Sequence, residues 1–203
     1  AGTNNPRICF TELQKENPQN PPLFCVLLRK HLSGAKLLAV RQEGFERVVR
    51  LEFETRDELG FACKRMLYAE IMGKYSNLIF TDGEGKIISA LKTVDFSTSA
   101  QRQVLPGMRY ELPPAQDKDN PLEVDFARFA ELYAAESPDK PLDKFILSRF
   151  CDISATVARE MAVIATRHTD TPLRYATPAE AWRGFDSIVS RIREGNFAPT
   201  MVY

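Results

Sequence analysis

Two charged residues stand where the alternation of the chain calls for apolar side chains, and they point to the chemistry available here. Arg47 falls on the parity of Val49, Leu51 and Phe53, and Glu70 shares a strand face with Met66, Tyr68 and Met72. A carboxylate among such neighbours needs a partner or a shifted pKa. Arg47 is one candidate partner, which would make the pair a structural ion pair at a sheet edge. Otherwise Arg47 snorkels into water, or is aimed across the rim of the sheet at a ligand. A guanidinium suits RNA because it forks onto phosphate or stacks on a base. Just downstream, Lys74, Tyr75, Ser76 and Asn77 mix a base-stacking aromatic with phosphate donors, although a plain strand connection explains them equally well.

Catalytic and metal constellations are not legible. No Ser/His/Asp or Cys/His set can be picked out, and His31 and His168 lack metal-ligand spacing. Cys9, Cys25, Cys63 and Cys151 lie far apart with no CxxC pair, which reads as reduced thiols in a cytoplasmic protein rather than a zinc site or disulfide framework. Gly83 and Gly85 in Asp82-Gly83-Glu84-Gly85 form a hairpin turn; a phosphate loop would need a helix and a GK[ST] ending after them.

The elements that must position these residues are a sheet followed by helices. Pro21-Pro22 opens a helix carrying Leu23, Phe24, Leu27, Leu28 and Leu32 at helical spacing, with Gly34 to end it. Lys36 to Gln42 reads as a strand, Glu43-Gly44 as a turn and Glu46 to Glu54 as the return strand, on which Val49, Leu51 and Phe53 make the apolar stripe. Phe61 to Met72 is a further strand, and Leu78 to Thr81 with Lys86 to Val94 a hairpin. Ser97 to Gln103 reads as a polar loop, and Leu105-Pro106-Gly107 and Leu112-Pro113-Pro114 as irregular chain. Asn120-Pro121-Leu122-Glu123 then carries an N-cap, a first-turn proline and a capping-box glutamate, and Thr177-Pro178-Ala179-Glu180 repeats the signal. Helices are expected over 122–135, 142–150, 154–166 and 178–194, which divides the chain into a β-rich part, 1–119, and a helical part, 120–203.

Composition sets limits. The 203 residues are 44% hydrophobic and 27% charged, with 27 Lys+Arg against 27 Asp+Glu. Such a chain can bury a core without staples. Zero net charge removes the usual electrostatic argument for nucleic acid, so any such binding must come from a local patch. No run reaches membrane-spanning length and no signal peptide is legible, so no membrane partner is expected. A start at Ala1 rather than Met is expected of a chain that begins inside a larger protein.

The order PPLFCVLLRKHLSG (21–34), GFERVV (44–49), EIMGKYSNLIF (70–80) and LPGMRYELPPAQDKDNP (105–121) resembles the N-terminal domain of the NFACT family. That family includes ribosome quality control factors, some long labelled fibronectin-binding proteins. The resemblance implies an α+β fold, a β-sandwich similar to that of formamidopyrimidine-type DNA glycosylases followed by helix-hairpin-helix-like helices, with the first elements of the module absent from this chain. It also implies binding to the large ribosomal subunit carrying an obstructed peptidyl-tRNA, and recruitment of alanyl-tRNA for C-terminal alanine tailing. The module itself would then have no chemistry and need no cofactor. The family's tRNA contacts, an Asp-Arg pair and a Glu-Ile-Met segment, match Glu46 and Arg47, and Glu70, Ile71 and Met72. Glu46 departs from the pattern by one methylene. From their own types, Glu46 and Glu70 cannot attract phosphate; they would accept base or ribose hydrogen bonds, or orient Arg47. Ile71 and Met72 also fit a strand pattern. Lys74, Tyr75 and Asn77 are further candidates for RNA contact.

Two other sites carry less. Phe150 to Ser154 lies where a helix-hairpin-helix would turn, but no glycine lies between Lys144 and Thr166 to bring backbone N–H groups onto phosphate. Arg183, Arg191 and Arg193 read as a solvated helix face. Two competing functions stand beside RNA binding: a fibronectin-binding surface adhesin, and a DNA repair enzyme, for which the N-terminal nucleophile and zinc hairpin are missing.

Overall fold

The computed structural model describes residues 7–14, 16–114 and 116–198. The chain divides into two compact units, Ala1–Ala115 and Gln116–Tyr203.

In the first unit, helix α1 (Leu23–Leu32) precedes five strands, β1 (Lys36–Gln42), β2 (Val48–Arg56), β3 (Ala62–Glu70), β4 (Asn77–Asp82) and β5 (Ile87–Ala90). They form one antiparallel sheet in chain order. Neighbouring strands pair because each connection is a short turn. Asp82, for example, accepts the N–H groups of Glu84 and Lys86 and so closes the β4–β5 hairpin. The stripe of Leu51 and Phe53 faces α1: Thr55 Oγ1 donates to the His31 carbonyl at 2.9 Å, and the His31 ring lies 5.6 Å from that of Phe80. The opposite face is the more deeply buried at its centre. Val48, Tyr68 and Ile79 pack there with Ile87 and Val104, under the chain that returns across the sheet after β5.

Three boundaries differ from the expectations. β2 starts at Val48, so Arg47 belongs to the turn before the strand and is not the first member of its apolar stripe. β3 stops at Glu70, because Gly73, at φ 56°, turns the chain into a 3-10 turn over Gly73–Tyr75. β5 is only Ile87–Ala90; beyond it the backbone pairs with Val104 instead.

The second unit is helical: α2 (Phe126–Ala134), α3 (Leu142–Arg149), α4 (Ala155–Thr166) and α5 (Pro178–Arg193). α2 begins one turn later than expected. Asp125, not Asn120, is the cap, accepting from Arg128 N at 2.8 Å, while Asn120 Oδ1 accepts from Leu122 N within a turn that seats Val124 in the core. At Thr177 the expected capping box with Glu180 is present on both sides. α4 and α5 approach closely at Gly184, where a Cβ would lie 2.2 Å from the Met161 carbonyl oxygen. The core is aromatic, with Phe129 against Phe145, Phe150, Trp182 and Phe185. No described helix is long and apolar enough to cross a membrane.

Candidate nucleic-acid interface

The turn between β1 and β2 presents Glu46 and Arg47. Glu46 N donates to the Glu43 carbonyl at 3.1 Å, and Gln42 Nε2 donates to the Glu46 carbonyl at 2.9 Å, so both sides of the turn are tied. Arg47 is exposed and Glu46 half-buried. Antiparallel register places Val48 opposite Glu70, and Ile71 N donates to the Arg47 carbonyl at 2.9 Å. Glu46-Arg47 and Glu70-Ile71-Met72 therefore meet at one end of the sheet, although more than twenty residues separate them in sequence.

The members of this edge differ in access. Ile71 and Met72 are half-buried, and Met72 packs against the core of the sheet. Lys74 and Tyr75 are exposed at the tip of the following turn, with the Lys74 ammonium 4.8 Å from the Tyr75 ring centroid. Asn77 is buried, and its amide works within the protein: Nδ2 donates to the Lys92 carbonyl at 2.8 Å and Oδ1 accepts from Lys92 N at 2.9 Å. Ser76, also buried, accepts from Met72 N at 3.0 Å. Of the downstream candidates, then, Lys74 and Tyr75 offer side chains to a ligand, and Ser76 and Asn77 hold the turn that offers them.

Glu70 is 3% exposed. Its partners are Arg102 and Tyr110. Arg102 forks onto both carboxylate oxygens, Nη2 to Oε1 at 2.6 Å and Nη1 to Oε2 at 3.1 Å, and the Tyr110 hydroxyl donates to Oε1 at 3.0 Å. The Tyr110 ring stacks on Tyr68 at 3.7 Å between centroids and lies under the Arg102 guanidinium. Burial, reinforced by the Glu70 charge, pushes the Tyr110 hydroxyl far above the ordinary tyrosine range, and burial also raises Tyr68. Beside them, Arg50 bridges Glu43 at 2.8 Å and Glu52 at 3.0 Å; burial draws its pKa down, and the two carboxylates more than offset that and hold it above the usual value.

Arg102 and Tyr110 were not legible as site residues, since one stands in a polar loop and the other in an irregular run. The available signal was chemical: a carboxylate in an apolar strand requires a cation, and Arg102 lies in the segment that follows β5. In the helical unit, the turn after α3 uses Asp152 at φ 55° where a glycine is common, and Cys151 N is already bonded to the Asp119 carbonyl. Arg183, Arg191 and Arg193 are all exposed, and Arg193 in addition reaches the carbonyls of Leu122, Pro121 and Val124 and ties α5 to the start of the unit. Among the described residues, no cluster of three or more His, Cys, Asp or Glu is placed to hold a metal.

An antiparallel meander whose end collects these charged residues, in a chain that continues into a helical unit, defines a member of the NFACT N-terminal module: the family model for NFACT N-terminal and middle domains matches residues 1–203, and the chain belongs to that family. It is 41% identical over 158 residues to the Rqc2 homolog RqcH of Bacillus subtilis (strain 168), an overlap of 76% of this chain and 27% of that protein. Among solved structures it is similar to the N-terminal part of the fibronectin/fibrinogen-binding protein from Streptococcus suis, with a TM-score of 0.71 and 30% identity over 91% of this chain and 66% of that one. It is likewise similar to the fibrinogen binding protein from Staphylococcus aureus, with a TM-score of 0.70 and 29% identity over 90% of this chain and 62% of that one.

Proposed function

We propose that this chain is the tRNA- and large-ribosomal-subunit-binding module of a cytoplasmic ribosome quality control factor, one that recruits alanyl-tRNA for C-terminal alanine tailing of stalled nascent chains. Peptide-bond formation belongs to the ribosome, and the module is not an enzyme. The observation that carries this reading is the exposed Arg47, held beside Glu70-Ile71-Met72 by the Ile71–Arg47 backbone hydrogen bond. Membership of the family and the likeness to RqcH support it. Arg47 supplies a planar fork for phosphate or base, and the exposed Tyr75 and Lys74 supply a stacking face and a point charge.

The test uses the full-length protein. Arg47→Ala is expected to lower tRNA recruitment to large subunits about tenfold, the loss of roughly one charge-assisted contact. Unchanged tRNA binding and tailing would sink the role given to Arg47. A second reading, fibronectin binding, draws on the name of the solved Streptococcus suis relative. Saturable binding to immobilised fibronectin that is indifferent to Arg47→Ala, without any tRNA binding, would favour it. The sheet-then-helices order we read as glycosylase-like in fold only; abasic-site lyase activity in the protein would extend that likeness to function.

A further inference from the structure

Glu70 is matched by resemblance to a tRNA contact, yet its carboxylate is already committed inside the protein. A carboxylate offers roughly four acceptor positions. Three hydrogen bonds from Arg102 and Tyr110 occupy all but one of them, and at 3% exposure no open face is left for a base or ribose. The segment bearing the partners is itself closed onto the sheet. Val94 and Val104 exchange backbone bonds of 3.1 and 2.7 Å, Ile87 N donates to Met108 O and Gly107 N to Ile87 O, and Tyr110 N donates to Gly85 O. A ligand that reached Glu70 would have to displace a forked guanidinium and lift this segment.

The same geometry supplies another role. Glu70 ends β3, paired across to Val48 and to Asn77, and its chain neighbour Ile71 donates to the Arg47 carbonyl. Fixing the Glu70 side chain therefore fixes the backbone on which Ile71 and Met72 sit, and through the Ile71 hydrogen bond the turn that presents Arg47. We infer that Arg102 and Tyr110 are positioning residues of the tRNA-contacting edge, and that Glu70 serves that edge as their anchor without touching RNA. This inference rests on the reading of the Arg47 edge as the tRNA contact.

The experiment is a set of double-mutant cycles on the affinity of full-length protein for alanyl-tRNA, each variant first shown to be folded by thermal melting. Glu70→Gln and Arg102→Met are each expected to weaken binding about tenfold, and the double variant no further than the weaker single, because both remove one clamp. In an Arg47→Ala background, Arg102→Met is expected to lose most of its effect, since the main contact it positions is already gone; a general loss of folded protein would lower binding in both backgrounds alike. Where Arg102→Met does not fold, Tyr110→Phe keeps the ring stack and removes only the hydroxyl, and enters the same cycles with an expected loss of about threefold. Multiplying effects of Glu70→Gln and Arg102→Met would overturn the inference, because Glu70 would then act on RNA by itself. So would wild-type affinity in Arg102→Met while Arg47→Ala is impaired. A wild-type protein with no affinity for tRNA, or a silent Arg47→Ala, would instead sink the RNA reading, and the inference with it.

Discussion

The two units fill their interiors with different chemistry. In the helical unit, Phe129 is fully buried at the meeting point of Phe145, Phe150, Trp182 and Phe185, with ring centroids 5.1 to 5.8 Å away. That unit buries one charged side chain, Asp143, whereas in the sheet unit Glu70, Ser76, Asn77 and Thr81 are all buried, among a smaller set of apolar side chains. Apolar packing is non-directional and stabilises in proportion to area. Buried polar groups add little net stability once desolvation is counted, but they accept only one geometry. The helical unit is thus built to be stable, and the sheet unit spends part of its interior on holding one edge in place.

The largest expected effect tests the first half of that contrast. Phe129→Ala should cost the helical unit about 4 kcal/mol, the sum of lost transfer energy and an unfilled cavity. Trp182 is the single tryptophan of the chain and packs 5.4 Å from Phe129, so its emission reads this transition directly. A cost below about 1 kcal/mol in urea unfolding would mean that the aromatic cluster collapses around the gap and that the contrast is overstated.

The second half is tested by separating stability from geometry. Arg102→Met should destabilise the sheet unit by about 3 kcal/mol, because Glu70 is left buried and unpaired. Adding Glu70→Leu removes the orphaned charge and should return stability to within about 1 kcal/mol of wild type. Binding of alanyl-tRNA should not return with it, since the forked link across the sheet is gone. Hydrogen exchange at the Ile71 amide, which bonds to the Arg47 carbonyl, gives a local reading of the edge in both variants. Recovery of stability and tRNA binding together would show that the polar pair confers nothing beyond filling space.

The same contrast explains which parts of the molecule were legible in the sequence. α1, the β4–β5 turn and the Thr177 capping box are local devices, encoded within a few residues, and all three form where the residue types place them. The start of α2 was misplaced because Asn120 and Asp125 both carry capping chemistry, and only the seating of Val124 in the core decides between them. The parity of Glu70 was legible as a violation, but its partner was not. Arg102 lies 32 residues away in a stretch with no periodicity, and the expected partner, Arg47, meets this strand end through its backbone carbonyl. Which face of β2 is buried was hidden for the same reason: Leu51 and Phe53 make the clearer stripe, while the cover over Val48 comes from the distant segment around Val104 and Tyr110.

Tyrosines in the two units sharpen the comparison at the smallest scale. Tyr133 donates to the carbonyls of Leu173 at 2.7 Å and Ala176 at 2.8 Å in the helical unit, and burial pushes its hydroxyl up to about 12. Tyr110 in the sheet unit is raised by burial and by Glu70. A folded pKa above the unfolded value near 10 means that the stabilisation is complete below about pH 10 and is lost as pH climbs through the folded value, because only the unfolded chain has released the proton in that window. Tyr133→Phe should therefore cost about 1 kcal/mol at neutral pH, through the lost hydrogen bonds, and flatten the alkaline fall in stability that Trp182 emission reports. Tyr110→Phe should leave the Trp182 transition as it is and flatten only the alkaline loss of protection at the Ile71 amide. If either substitution flattened both signals equally, the two interiors would titrate as one, and the division of labour between them would not extend to their polar groups.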